Sequence, residues 1–353
     1  MRLARNVASI EIGDVAALFV EERQHILRLE GLARRFCELL EKPQDLGALI
    51  AELGPAAWGT LHTLLPPLAA QGILACDAGP GVFDSKVLDI GERKIAIGFG
   101  SADPQERWSL PYAHLPGADR SAPVEAWIDR VGDLVFVQAG ESLSILEPDE
   151  HHRAPLILRR GLLDLILNAS GGIAVHAACL QGASGAILLS GPPASGKSTL
   201  ARAMAERGFP ILGDDVAWFD MHTGRIMPIP LPLTVKNGRA SDEAAAAEGE
   251  WIEREDGWRI YYRPLASAPE TGWQAIEAVV AIDRSAGGPA TCEPGSPVET
   301  LRHLYDGAHS ASGKSTIDEV RALAQAAANA AGLTLRYREA EDGAAILAGQ
   351  FDR

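Results

Sequence analysis

The run "GAILLSGPPASGKST", residues 185–199, constrains this chain more than any other segment. A short apolar stretch suited to a buried strand leads into a glycine-rich turn and then a helix start, the order expected at the strand-to-helix junction of an α/β domain. Gly191 and Gly196 permit backbone geometries and a close approach that side chains would block, so successive N–H groups can face phosphate oxygens. The spacing G-x-x-x-x-G-K-S is complete, and Gly191, Pro192, Pro193, Ala194, Ser195, Gly196, Lys197, Ser198 and Thr199 form the candidate loop. In it Lys197 would reach the β and γ phosphates, the Ser198 hydroxyl would ligate magnesium, and the helix would add its positive dipole end. A nucleoside triphosphate and magnesium are the expected ligands.

The hexamer "ASGKST" recurs at residues 311–316, and there the surroundings differ. Five positions before Gly313 stands Ala308 rather than glycine, and "LRHLYDGAH" upstream has no buried-strand pattern. Thr316 followed by Glu319 matches a capping box, and "IDEVRALAQAAANAAG" is a good helix former expected to end at Gly332. The repeat is read as two helix starts, one of them built for triphosphate.

Composition narrows the partners. With 353 residues, 47% of them hydrophobic, the chain is long enough for two or three domains and a buried core. Its formal charge of -15, from 32 basic and 47 acidic residues, argues against binding nucleic acid through many phosphate contacts. Cys37, Cys76, Cys179 and Cys292 form no CxxC pair, so they are read as reduced, mostly buried thiols. With no signal-like N-terminus and no long apolar run, the expected location is the cytoplasm, away from membranes.

Along the chain, residues 7–29 suggest two or three small strands, and "EGLARRFCELLEK", "DLGALIAEL" and "AWGTLHTLLPPLAAQG" suggest three helices, a module ending near Cys76. "CDAGPGVFDSK" is a candidate boundary. A β-rich lead-in over 86–150, clearest at "KIAIGFG" and "DLVFVQAGESLSIL", precedes a helix and then the α/β alternation of a core over 151–353. The run "SDEAAAAEGE" reads as a solvated helix or mobile loop.

Near the loop, "RGFPILGDD" gives a turn at Gly208 and a strand running into Asp214 and Asp215. Successive strand residues point to opposite sides, so one carboxylate can face a metal and its neighbour an incoming nucleophile. Asp214 is assigned as the base that takes the acceptor's proton and Asp215 as a magnesium contact, against the plainer reading of a cap or turn pair. "IAVHAACLQGASGAILL" reads as a hairpin that brings His176 to the same strand ends, as a catalytic or a structural histidine. Lys236, in "MPIPLPLTVKNG", is either a substrate contact or a surface lysine. Arg263 and Arg284 are charge stabilisers that sequence alone cannot rank.

The order His176, "GPPASGKS", "RGFPILGDD" resembles the catalytic domain of HPr kinase/phosphorylase and its relatives, over about Val175 to Val216. That resemblance implies a P-loop kinase fold of the HPr kinase and phosphoenolpyruvate carboxykinase type, and transfer of the ATP γ-phosphate to a serine hydroxyl. It also implies His176, Lys197 and Asp214 as catalytic residues and makes a homo-oligomer plausible. The family's later glycine-rich segment after a Glu-Ile-Arg run is not found; "MPIPLPLTVKNGR" stands instead, which puts HPr in doubt as the substrate. The chain is more similar to divergent relatives that phosphorylate precursor peptides. Residues 1–77 resemble a PqqD-like, winged-helix-like α+β domain, which implies capture of a leader peptide as an added strand. Residues 86–353 would then be the kinase domain. The expectation is an ATP- and magnesium-dependent kinase acting on a small protein or ribosomally made peptide. A kinase of small-metabolite hydroxyls and a nucleotide-gated scaffold are the alternatives.

Overall fold

The computed structural model describes residues 1–54, 56–76, 84–90, 93–100, 108–109, 112, 114–118, 124–170, 172–231, 233–237, 250–253, 259–263, 272–284, 288–310 and 313–351. Most of the boundary segment "CDAGPGVFDSK", nearly all of "SDEAAAAEGE", and Ala311 and Ser312 of the second hexamer lie outside the described residues. The fold is mixed α/β with several sheets, in two compact units: residues 1–86, 96–108 and 117–165, and residues 87–95, 109–116 and 166–353.

In the first unit β1 (Arg2–Leu3) precedes a three-stranded antiparallel sheet of β2 (Val7–Ile12), β3 (Val15–Val20) and β4 (His25–Leu29). Helices α1 (Gly31–Leu39), α2 (Leu46–Leu53) and α3 (Ala57–Ala70) follow, and β5 (Leu74–Ala75) returns to pair with β1. Asp45 caps α2 by accepting from the N–H groups of Gly47 and Ala48. After β6 (Asp84–Asp89) come β7 (Lys94–Phe99), β8 (Val124–Val131), β9 (Leu134–Ala139), β10 (Ser142–Leu146) and helix α4 (Ala154–Ser170).

One core runs through the front module and the meander behind it. Leu18, Phe36, Leu61 and Leu65 share it with Trp127, Leu134, Phe136 and Ile145. The side-chain amide of buried Gln138 accepts from the Cys76 N–H and donates to the Cys76 carbonyl, so the end of the front module is tied by its backbone to β9. A front module that looked separate in chain order thus completes its core with strands of the β-rich segment.

The second unit begins with β11 (Ile173–Val175), β12 (Ala178–Gln181) and β13 (Ala186–Ser190). Then come α5 (Lys197–Ala205), β14 (Ile211–Gly213), β15 (Ala217–Phe219), β16 (Ile226–Pro228), β17 (Leu233–Asn237), β18 (Glu250–Glu253), β19 (Arg259–Arg263) and β20 (Ile276–Asp283). It closes with β21 (Thr291–Pro294), α6 (Pro297–Asp306), β22 (Ala308–Ser310), α7 (Ile317–Asn329), β23 (Ala331–Arg336) and α8 (Ala340–Ala348). The main sheet has the order β14-β12-β13-β20-β23-β21, beside a four-stranded sheet β16-β15-β11-β22 and a ribbon β17-β19-β18.

Strands covered on both faces read as unbroken apolar runs, and "AILLS" of β13 is one. Ile187 and Leu189 pack with Leu200 and Met204 of α5 and Leu347 of α8. Leu188, pointing the other way, packs with Leu304 of α6 and Leu323 of α7. Each such leucine contributes about 1.5–3 kcal/mol by leaving water. This double cover holds the strand that feeds the candidate loop.

Strand directions then position the site. Antiparallel β12 pairs with both β13 and β14, so those two run the same way; β20 is parallel to β13, and β23 to β20. Four strands therefore end at one edge of the sheet, where α/β proteins characteristically bind ligands.

Two sequence expectations need correction. The hairpin starts at Ala178, because Ile173–Val175 pairs with β15 and β22 in the other sheet. Helix α7 stops at Asn329 rather than Gly332, because residues from Ala331 onward pair with β20, which outweighs the helix propensity of the alanines. The expected capping box of Thr316 and Glu319 is present. No helix among the described residues is long and apolar enough to cross a membrane.

Gly213 ends β14 where a Cβ would lie 2.3 Å from the Ile229 carbonyl oxygen, a backbone atom with little room to yield. Gly213→Ala is expected to destabilise the protein by about 1–3 kcal/mol, seen as a fall of a few degrees in melting temperature. An unchanged melting temperature would show that the chain around Ile229 gives way freely.

Candidate active site

The candidate loop leaves β13 and enters α5 through two residues in the left-handed region, Ala194 at φ 64° and Gly196 at φ 96°. Gly196 is the N-cap of α5, and the Ser195 N–H donates to the Pro192 carbonyl at 3.1 Å, closing a turn. Lys197 is only 6% exposed, and its Nζ donates to the carbonyls of Gly191 at 2.9 Å and Pro192 at 3.2 Å. The ammonium is thereby held over the concave side of the turn. Ser190, the last residue of β13, donates its hydroxyl to the His303 carbonyl of α6 at 3.1 Å, which fixes the loop's departure point.

Asp214 has no solvent exposure, and the Ser198 hydroxyl lies 3.1 and 3.0 Å from its two carboxylate oxygens. The first turn of α5 and the end of β14 are joined through this contact. Asp215, half-buried, takes φ 71°, unusual for any residue other than glycine, although aspartate tolerates it better than most. The turn sends the backbone carbonyl of Asp215 toward His176, whose Nδ1 lies 2.8 Å away.

His176 reaches the site because it immediately precedes the pair Ala177–Ala178 that opens β12, at the edge where β13 and β14 end. Its backbone N–H donates to the Gly307 carbonyl at 2.7 Å. Since a carbonyl only accepts, Nδ1 carries the proton and Nε2 keeps its lone pair in the neutral ring. Burial, reinforced by the positive charge of Lys197, holds the His176 pKa below its ordinary 6.5, with a partial counter-effect from Asp215. Cys179, buried under the same site, is pushed far up by burial and then by Asp214, so it stays a protonated packing group.

The residues fit a phosphate chain by more than spacing. The Ser195 hydroxyl is buried with no hydrogen-bond partner and lies against Gly191, where a Cβ would approach it to 2.8 Å. A donor without a partner, a free helix start and a buried ammonium around one turn make a cradle for anionic oxygens. No group of three or more His, Cys, Asp or Glu placed to hold a metal was found among the described residues. Magnesium at phosphate sites needs no such cage, since one or two protein ligands, substrate oxygens and waters complete its shell. Ser198 and the two aspartates supply that part.

Thus the structure brings together His176, the loop, Asp214 and Asp215. Lys236 and Arg263 lie on the paired strands β17 and β19, opposite Ile260 and Leu233, and their side chains lie outside the described residues. Arg284, which the sequence did not rank, comes against the loop at Gly196, together with Tyr337, which sequence reading missed. The available signal was position: both follow the carboxyl ends of buried parallel strands.

No protein-family model matches this chain, and no curated protein does. Among solved structures it is similar to the Hpr(Ser) kinase/phosphatase from Coxiella burnetii, with 11% identity, a TM-score of 0.25, and coverage of 50% of this chain and 95% of that one. A likeness this slight assigns neither fold nor activity.

Because the folded state favours neutral His176, the stability this residue contributes is held above pH 6.5 and is lost as pH falls below it toward the lowered pKa. An NMR titration of the His176 ring should give a midpoint below 6.5, and Lys197→Ala should raise that midpoint. A midpoint at or above 6.5 would contradict the buried placement.

Proposed function

We propose that this protein is an HPr-kinase-like, ATP- and magnesium-dependent kinase that transfers the γ-phosphate to a serine hydroxyl of a small protein or ribosomally made precursor peptide. The observation that carries this reading is the contact between Ser198 and fully buried Asp214 at the start of the helix leaving a complete phosphate loop. It sets a carboxylate, a metal-binding type of hydroxyl and a phosphate cradle at one strand edge.

In the proposed reaction the acceptor O–H proton passes to Asp214, the acceptor oxygen bonds to the γ-phosphorus, and the bond from that phosphorus to the β–γ bridging oxygen breaks to release ADP. Lys197 offsets the charge on the phosphates, and the turn's N–H groups and α5 orient them. Magnesium, held through Ser198 and Asp215, would supply charge neutralisation at the β and γ oxygens. His176, neutral at pH 7 with Nε2 unprotonated, stands beside the carboxylates and limits how the acceptor approaches.

A second assignment within the same reaction exchanges the two aspartates, and the Ser198 contact favours it, since a carboxylate bonded to the metal-binding hydroxyl is well placed for the metal. Asp214→Asn is expected to abolish transfer while ATP still binds. Intact-mass spectrometry of a candidate peptide incubated with ATP and magnesium should show the phosphate gain only with the wild type. Full activity in that variant sinks the assignment. A steep rise in the magnesium needed by Asp214→Asn, with Asp215→Asn unchanged in that respect, selects the exchanged roles.

For the acceptor, the front module supports a peptide. The sheet β2-β3-β4 has no further strand at either edge among the described residues, and Ile12 and Ile26 on its outer strands are 67% and 68% exposed. Edge pairing supplies backbone bonds to an extended peptide, and the isoleucines supply apolar contact. Deleting residues 1–77 would uncover the core shared with β8–β10, so a point change is the cleaner probe. Ile26→Asp is expected to weaken peptide binding about tenfold in fluorescence polarisation and to leave ATP binding unchanged. Unchanged peptide phosphorylation with Ile26→Asp removes the docking role, and a preference for small alcohols over peptides selects the metabolite kinase. Binding of both ligands with no mass gain selects the nucleotide-gated scaffold.

A further inference from the structure

The contact between Ser198 and Asp214 fixes one flank of the loop, toward β12 and β14. The opposite flank, toward β20 and β23, is also built from polar groups. Arg284 follows β20, is exposed, and donates its Nε to the Arg338 carbonyl at 3.3 Å. Tyr337 follows β23, and its N–H donates to the Asp283 carbonyl at 3.1 Å. Both side chains converge on Gly196: a Cβ there would lie 3.2 Å from the Tyr337 hydroxyl oxygen, 3.3 Å from Arg284 Cδ and 3.7 Å from its Nη1.

Tyr337 is 1% exposed and its hydroxyl has no hydrogen-bond partner. Its ring is wedged by α8, where a Cβ on Gly343 would meet it at 2.7 Å. Burial pushes the phenol up to about 12, with Arg284 pulling the other way, so the hydroxyl remains a neutral donor. Leaving such a group buried and unbonded costs free energy that a simple packing role would avoid by using phenylalanine.

We propose that Arg284 is a nucleotide contact on the flank of the loop away from Asp214, and that Tyr337 is the positioning residue that sets it there. This rests on the kinase reading. If the transferring phosphate lies at Asp214 and Lys197, the remaining phosphates and the nucleoside leave along the other flank. There a guanidinium meets the α or β phosphate of ATP or ADP. Gly196 is required because any side chain would occupy the space that Arg284 and Tyr337 use.

The test measures MgATP and MgADP affinity by calorimetry, together with thermal unfolding, for the wild type, Arg284→Ala, Arg284→Lys, Tyr337→Phe and Lys197→Ala. Arg284→Ala is expected to weaken both nucleotides about 10- to 100-fold, the worth of a charge-assisted bond, with partial rescue in Arg284→Lys. Tyr337→Phe is expected to keep or raise the melting temperature of the nucleotide-free protein and yet weaken nucleotide binding severalfold. A fall in melting temperature with affinity intact would make the hydroxyl merely structural and overturn its role. Nucleotide affinities within twofold of wild type in Arg284→Ala, while Lys197→Ala loses binding, overturn this inference and leave the kinase reading standing. Loss for ATP alone overturns the flank assignment. Failure of the wild type to bind either nucleotide overturns both readings together.

Discussion

Asp214 is a carboxylate without solvent exposure, and the Ser198 hydroxyl is the partner that makes its burial tolerable. Burying an anion is expensive unless hydrogen bonds and nearby positive charge compensate. The buried ammonium of Lys197 and the amino end of α5 lie in the same small region. Every group around the site answers to this arrangement: His176 is driven toward its neutral form by burial and Lys197, and Cys179 toward its thiol by burial and Asp214. The double-sided packing of β13 keeps these charges in register, because the strand cannot shift without opening cores on both faces.

The loop was fully legible because its chemistry is local. Strand, turn and helix start are consecutive, and the glycine positions follow from the backbone alone. Asp214 and His176 were legible as neighbours of that loop because short strands connect them to it. Arg284 and Tyr337 were not, since what brings them to Gly196 is the parallel pairing of β13, β20 and β23, whose partners are separated by long stretches of chain. The division of labour between Asp214 and Asp215 was also beyond sequence: alternation says that the two carboxylates diverge, and only the fold says which of them meets Ser198.

The repeated hexamer shows how little six residues decide by themselves. At Ala194–Thr199 they follow a strand buried on both faces, and Lys197 becomes a buried ammonium. At the second occurrence a short, partly exposed strand precedes them, Thr316 takes the cap, and Glu319 returns the bond to the Thr316 N–H. A side chain that satisfies the helix start locally leaves fewer free donors there for an anion.

The pair of bonds between Gln138 and Cys76 reaches into the history of the chain. A recognition module joined to an enzyme by a loose tether can be traded between enzymes as a cassette, each half keeping its own core. Here the module's last residues are sewn to a strand that lies 62 positions further along, and the two segments share one apolar interior. Lineages that altered the front module had to alter the meander with it, so the two pieces are expected to have diversified as one inherited block.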